Sequence, residues 1–479
     1  MERFDIKKAE IQKLYEAYKI DPSLFTRNPY IEDAAFLRTF GIVIPGKETF
    51  PLGYLKLYAS DFIVEEISRE GSVYTIDSPP SPTEVPTRDP SNTDHRALFA
   101  TLVKCNISTI EIMEEMAKKL GCPTSSIRYA GLKDKNGITA QAISFHNVTY
   151  EKISTLFSKH YFLKDFRWGK GSIEKGGLTG NRFTLFIRTP KPIDQAAFTE
   201  QERKVNAEGF YNFFYLQRFG SPRFMAYELG FDILRGKYQD AVIKFITRTS
   251  ERELPYFRQL RDQIRGCIPD WKKVQELIAP YPLIMFNEHS LVGHLVNHPD
   301  DYIGALKAVN EQVTLWVYSF GSLLFNETVS AYIQNGEPVP EKIPLFMSDQ
   351  REDTEFYAHF LKQLGYYPPD LRNLKPFPHI QFQRRMVVCR EKIDIDNIAF
   401  SPEGIAVRFS LNKGEYATTF LSHLFNIISG HPPDDIPGDL VDSSSILGHE
   451  SISATLDYFK DVNGSRKNSG FDALEQAQQ

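Results

Sequence analysis

Ile127-Arg128-Tyr129-Ala130-Gly131-Leu132-Lys133-Asp134-Lys135-Asn136-Gly137-Ile138-Thr139-Ala140-Gln141-Ala142-Ile143-Ser144-Phe145 reads as a strand, a polar turn and a second strand. Apolar and β-branched residues on both sides suit paired extended segments, and Gly131 and Gly137 bracket the turn. Inside it, Asp134 stands between Lys133 and Lys135. On spacing alone, an Asx-type turn with solvated charges accounts for this pattern. The functional alternative is a carboxylate kept ionised by neighbouring cations and presented to a substrate at a strand end.

Working outward, Ser108 and Glu111 form a capping box ahead of an apolar stripe of Ile112, Met113, Met116 and Leu120. Gly121 then stands where a helix ends, so a helix precedes the turn. Strands are expected at 54–57, 61–67, 98–104 and 181–188. Between them, 78–95 is rich in Pro, Ser, Thr and Asp and reads as a long, mobile loop. From about 200 to 380 charged helical segments alternate with Pro-containing breaks. Strand patterns return at 386–389 and 404–411, followed by a helix at about 417–429. Two β-rich halves flanking a helix-rich middle predict an α/β (α+β) protein whose catalytic domain is interrupted by an insertion. Residues 1–50 read as helix and then loop.

The chain has 479 residues, two to three domains at roughly 150 residues each. Its 42% hydrophobic and 24% charged residues suit a globular protein with a sizeable core. Cys105, Cys122, Cys267 and Cys389 are scattered without a CxxC pair, which fits a reducing compartment and predicts neither disulfides nor zinc. The N-terminus lacks a signal-peptide core, and the apolar run 315–325 is too short to span a bilayer. A cytoplasmic protein without membrane contact is expected. The net charge of −5 argues mildly against nucleic-acid binding. Locally, however, Lys159, Lys164, Arg167, Lys170, Lys175, Arg182, Arg188 and Lys191 make a basic segment that also carries Phe166 and Trp168. Such a segment is either a solvated surface or an RNA-binding face.

A second chemical feature is Asn212-Phe213-Phe214-Tyr215-Leu216-Gln217-Arg218-Phe219-Gly220. These rings can be plain core. Interleaved with amides and an arginine, they also suit base stacking and base-edge reading. The Gly131–Gln141 stretch resembles the GxKDxxAxTxQ motif of the pseudouridine synthase D (TruD) family, and Asn212–Gly220 resembles its NYFGxQRFG motif. Lys56, six residues before Phe62, resembles the family's lysine ahead of its DFxVxE run. Leu178–Phe183 resembles LKGNxF, Leu323–Asn326 resembles SxLFN, and Gly414–Thr418 resembles GxYAT. The likeness covers about residues 50 to 430. It departs at Gly137 (usually Ala), Thr179 (Lys), Phe213 (Tyr) and Tyr215 (Gly).

The resemblance implies a pseudouridine synthase fold with a mixed, mainly antiparallel sheet, split by a mostly helical inserted TRUD domain. The implied division is an N-terminal extension 1–50, catalytic parts 51–237 and 381–435, insertion 238–380 and a tail 436–479. It implies isomerisation of uridine to pseudouridine in tRNA, at position 13, with Asp134 as catalytic carboxylate and Lys56 as its cation. Phe62, Asn212, Phe214 and Tyr416 correspond to positions that contact the target nucleotide. No cofactor and no metal is expected, because nothing is oxidised and no external group is transferred. The expected partner is tRNA rather than DNA, and the expected state a monomer. The rival on the same scaffold is a catalytically silent RNA-binding or RNA-folding protein. Finally, 446–458 resembles the LGHxxixtTxxY box of tyrosine recombinases, but the HxxR element is not apparent upstream, so it reads as chance or a fused fragment. From Asp461 the chain is polar and expected to be disordered.

Overall fold

A computed structural model describes residues 3–77, 86–89, 91–92, 95–148 and 150–467. Most of the expected loop over 78–95 lies outside these residues, as does the chain beyond Lys467.

The strands of the polar turn pair as read: Ile127–Tyr129 runs antiparallel to Ile138–His146, with Tyr129 opposite Ile143. Ile138–His146 also pairs with Ala97–Cys105 and with Phe62–Ser68. Around them an eleven-stranded sheet forms. Among the described strands it is parallel only where Phe62–Ser68 meets Ile138–His146 and where Asn426–Ser429 meets Leu52–Tyr54. The β-rich halves close into this one sheet, because Leu178–Arg188 pairs along its length with Gly404–Asn412. Strand alternation then sorts side chains between two layers. Leu98, Ala100 and Leu102 face the helix Thr109–Leu120, while Val103 and Cys105 enter the opposite core. That helix carries the expected reciprocal Ser108–Glu111 cap and ends on Gly121 in the left-handed region. Ile112 and Met116, both fully buried, each contribute about 1.5–3 kcal/mol.

Between the two halves, helices from Ala226–Leu234 to Asn310–Gln334 build a separate core around Trp316, Phe320, Leu229 and Ile233. Helix Ala226–Leu234 packs here although it precedes residue 238. Its Gly230 is required, since a Cβ would lie 2.0 Å from the Trp316 carbonyl oxygen. No described helix is long and apolar enough to cross a membrane.

Three expectations are revised. The helix expected at 417–429 stops at Leu421, and Asn426–Ser429 is a strand beside Leu52–Tyr54. Buried Lys47 donates to the carbonyls of Ser422 and Phe425, so the helix end is closed from outside and the β-branched residues can join the sheet. Residues 1–50 are not merely helix and loop, since Tyr30–Glu32 extends the sheet beyond Asn426–Ser429. Helix Arg3–Ile20 buries Leu14 in the helical core, accepts the N–H groups of Leu283 and Ile284 on Glu10, and pairs Lys7 with Glu111. It therefore spans from the insertion to the sheet domain.

The third revision concerns the tail. Ile452, Leu456, Phe459 and Val462 pack with Ile63, Val103 and Ile138 on the sheet. The recombinase-like Tyr458 donates to the carbonyls of Ser158 and Tyr161 at 2.9 and 3.1 Å. That box is a packing element, and Asp461–Lys467 is ordered, with Val462 and Asn463 buried.

Candidate active site

The turn carrying Asp134 is fixed from beneath. Gln141 donates to the Gly131 carbonyl at 3.0 Å, and the Lys133 N–H reaches the Thr109 hydroxyl at 3.3 Å. The Lys133 ammonium meets Glu66 at 2.7 Å, with both side chains buried. Lys104, fully buried, donates its ammonium to the Asp134 carbonyl. Burial pushes the Lys104 amine down to about 8, against the attraction of Asp134. With its backbone so held, the Asp134 side chain projects outward and is 46% exposed.

Lys56 reaches across to it, Nζ to Oδ1 at 3.0 Å. Its ammonium also sits 3.6 Å from the centroid of the Phe62 ring, a cation–π contact that fixes the direction of approach. Burial lowers the Lys56 pKa and Asp134 opposes that shift. Lys56 has φ +61°, unusual for a residue with a Cβ. Gly137 belongs to the same construction: a Cβ there would lie 2.5 Å from the Phe62 carbonyl oxygen. The departure from Ala is thus matched to the local backbone.

Asn212, Phe214 and Tyr416 form a second group. Asn212 donates to the Val388 carbonyl at 3.1 Å. Phe214 is clamped through its backbone, its N–H donating to Asn326 Oδ1 and its carbonyl accepting from Asn326 Nδ2 at 2.9 and 2.8 Å. Its half-buried ring lies edge-on to Phe325, with the Arg218 guanidinium 5.1 Å from its centroid. Tyr416 precedes helix Ala417–Leu421 and is exposed. The Gln217–Thr418 hydrogen bond at 2.9 Å joins the two segments. A row of rings, Phe62, Phe183, Phe409 and Phe420, connects this group to the Lys56 side.

The other departures also find places. Tyr215 has φ −89°, so no glycine conformation is needed, and its buried hydroxyl donates to Glu32 of the N-terminal extension. Phe213 stacks on buried His423, and Thr179 donates to the Ser68 carbonyl at 2.7 Å. Burial pushes His423 down to about 3, where it is neutral.

The family model for tRNA pseudouridine synthase D (TruD) matches residues 51–355. The chain belongs to the TruD family. A relative from Methanosarcina barkeri, named "Probable tRNA pseudouridine synthase D", is 27% identical over 64% of this chain and 66% of its own length. The chain therefore spans slightly less than two thirds of that relative. One from Methanocaldococcus jannaschii, "Probable tRNA pseudouridine synthase D 1", is 24% identical over 77% of this chain and 94% of its own. The crystal structure of a TruD protein from Methanosarcina mazei shares the fold, with TM-score 0.62 and 22% identity over 81% of this chain and 97% of that one.

In this TruD chain several site-supporting residues escaped the sequence reading. Lys104 left a signal, a lysine in register with inward-facing Leu98 and Leu102. Asn326 lay within a motif but was assigned no contact. The basic segment is corrected in part. Arg188 is fully buried on Asp61 through two 2.8 Å bonds, Arg182 binds Glu65 at 2.7 Å, and buried Lys164 reaches Thr75. Those three cations hold the sheet together. Lys159, Arg167, Lys170, Lys175 and Lys191 remain exposed. Among the described residues no His/Cys/Asp/Glu group could hold a metal.

Proposed function

We propose that this protein is a tRNA pseudouridine synthase that isomerises uridine, at position 13 by family resemblance, with Asp134 as its catalytic carboxylate. The observation that carries the reading is the half-exposed Asp134 side chain on a rigid turn, paired with Lys56 at 3.0 Å. The reaction breaks the bond between uracil N1 and ribose C1′, turns the base, and joins C5 to C1′, with the C5 proton lost and a proton taken up at N1. The Asp134 carboxylate either attacks C1′ or takes a ribose proton, and the Lys56 ammonium 3.0 Å away fixes its direction. The target base must leave the RNA stack to be reached. The exposed Tyr416 ring and the half-buried Phe214 ring offer faces for it, with the Asn212 amide nearby for an edge. Phe62, 3% exposed, serves by supporting Lys56 from below. No cofactor is needed, because no electrons leave the substrate and no outside group is added.

In the same proposal the catalytic domain comprises 51–237 and 381–435 and the insertion 238–380, with helix Ala226–Leu234 packing into the insertion's core, and tRNA lies between the two. The enzyme works as a cytoplasmic monomer. The rival, a silent RNA-folding protein, would need neither Asp134 nor Lys56. Unmodified tRNA incubated with the protein should gain pseudouridine at position 13. Asp134→Asn should abolish this while tRNA affinity stays within about three-fold, because shape is kept and charge removed. Modification by the purified Asn variant, or none by the wild type, would overturn the proposal.

A further inference from the structure

The residues after 440 lie beyond the segment matched by the family model, and the reaction assigns them no role. Yet Phe459–Lys467 runs between the turn after Lys56 and the end of the strand Ala97–Cys105 that carries Lys104. Asn463 is the hub. Its Oδ1 accepts the Ser60 N–H at 2.8 Å, its Nδ2 donates to the Ser60 hydroxyl at 3.1 Å, and its carbonyl accepts the Ala59 N–H at 3.3 Å. Three residues on, the Arg466 N–H donates to the Leu57 carbonyl at 2.8 Å. On the opposite side the Val462 carbonyl accepts from the Asn106 side chain at 2.7 Å and lies 3.8 Å from the Cys105 thiol.

The tail therefore holds the turn that follows Lys56 at Leu57, Ala59 and Ser60. That turn includes the one unfavourable backbone conformation in the Lys56–Asp134 pair, φ +61° at Lys56. Such a conformation persists only where its surroundings over-determine it. If Lys56 relaxed to negative φ, its Cβ would be re-aimed and its ammonium drawn off both Asp134 and the Phe62 ring. Asn463 itself is 4% exposed, with its side chain spent on Ser60, so it acts through the turn and not on the substrate.

We infer that Phe459–Lys467 is a working part of the catalytic site and that Asn463 is a positioning residue, holding the 56–60 turn so that the Lys56 ammonium stays on Asp134. This rests on the proposed function for its effect on rate, but not for its effect on Lys56. Asn463→Ala is expected to slow single-turnover pseudouridine formation about 10-fold, with tRNA affinity within about 3-fold; in a Lys56→Met background it should add less than about 2-fold. Amine-specific labelling read by mass spectrometry should find Lys56 protected in the wild type and labelled at least about 5-fold faster in Asn463→Ala. Tyr458→Phe, which loosens the same tail without touching the turn, should change neither readout. If Asn463→Ala does not fold, Ser60→Ala should show the same pattern more weakly, since it removes only the bond from Asn463 Nδ2 to the Ser60 hydroxyl. Equal slowing in both backgrounds, or Lys56 labelling matched by Tyr458→Phe, would overturn the inference. A wild type that makes no pseudouridine would strike the proposed function, and the labelling comparison would still decide the positioning role.

Discussion

Replacing Lys56 by methionine keeps an unbranched apolar stem of similar reach and removes the ammonium, with both its ion pair and its cation–π contact to the Phe62 ring. At 3.0 Å, two unit charges attract by about 5.5 kcal/mol at an effective dielectric of 20 and about 1.4 kcal/mol in bulk water. Asp134 is 46% exposed and Lys56 20%, which moves the value toward the aqueous limit, to about 2 kcal/mol after screening. That energy holds the carboxylate in one direction. Without it Asp134 spreads over rotamers. At 1.4 kcal/mol per decade, the competent population falls by up to about 30-fold. The assay is release of hydrogen from C5 of uridine in tRNA labelled there with tritium, under single turnover with enzyme in excess. Forming the C5–C1′ bond must expel that hydrogen, so its release reports the chemistry and not the binding. Affinity is measured separately by filter retention. A rate within about 2-fold of wild type, or a loss that appears wholly in affinity, would refute the reasoning.

Three further outcomes follow from the same structure. Arg188→Met should cost about 3–5 kcal/mol in urea denaturation, because it leaves Asp61 charged and buried without its partner; a loss under about 1 kcal/mol would contradict that. Burial holds Lys104 at about 8 against an ordinary 10.5, so between those values the unfolded chain binds the extra proton. The stability contributed by Lys104 is then complete above 10.5 and lost as pH falls through about 8. The stability of wild type relative to Lys104→Met should accordingly rise between about pH 7.5 and pH 10, and a flat difference would refute the assignment. Reversing charge at the exposed Arg167 and Lys170 should weaken binding of all tRNAs alike and lower the salt slope by about one unit per lost phosphate contact. An unchanged slope would make that surface merely solvated.

Much of the sheet domain was legible in the chain because its signals are local. The Ser108–Glu111 cap, the stripe of Ile112, Met116 and Leu120, and the alternation of Ile138–His146 each act over a few residues, and the helix and strand formed where they pointed. The Lys56 partner of Asp134 came from a motif match, and the structure brings the two together across 78 positions. Elsewhere local pattern was insufficient. The helical run expected at 417–429 was cut short by Lys47, whose ammonium lies 375 positions from the Ser422 carbonyl it binds. Lys164, Arg182 and Arg188 read as solvated surface or RNA-binding face, but strand register turned them onto Thr75, Glu65 and Asp61. The stretch from Asp461 read as disordered, yet Asn463 meets Ser60 across 403 positions. Composition, spacing and caps determined which segments would be helix, strand and turn, while Asp134 was singled out by the family resemblance and not by its spacing. Which charges face solvent, which lysine lies under Asp134 and what holds Lys56 in place were decided only when the sheet closed, because a charge takes its partner from whatever the fold brings within a few ångströms, and sequence distance does not limit that choice.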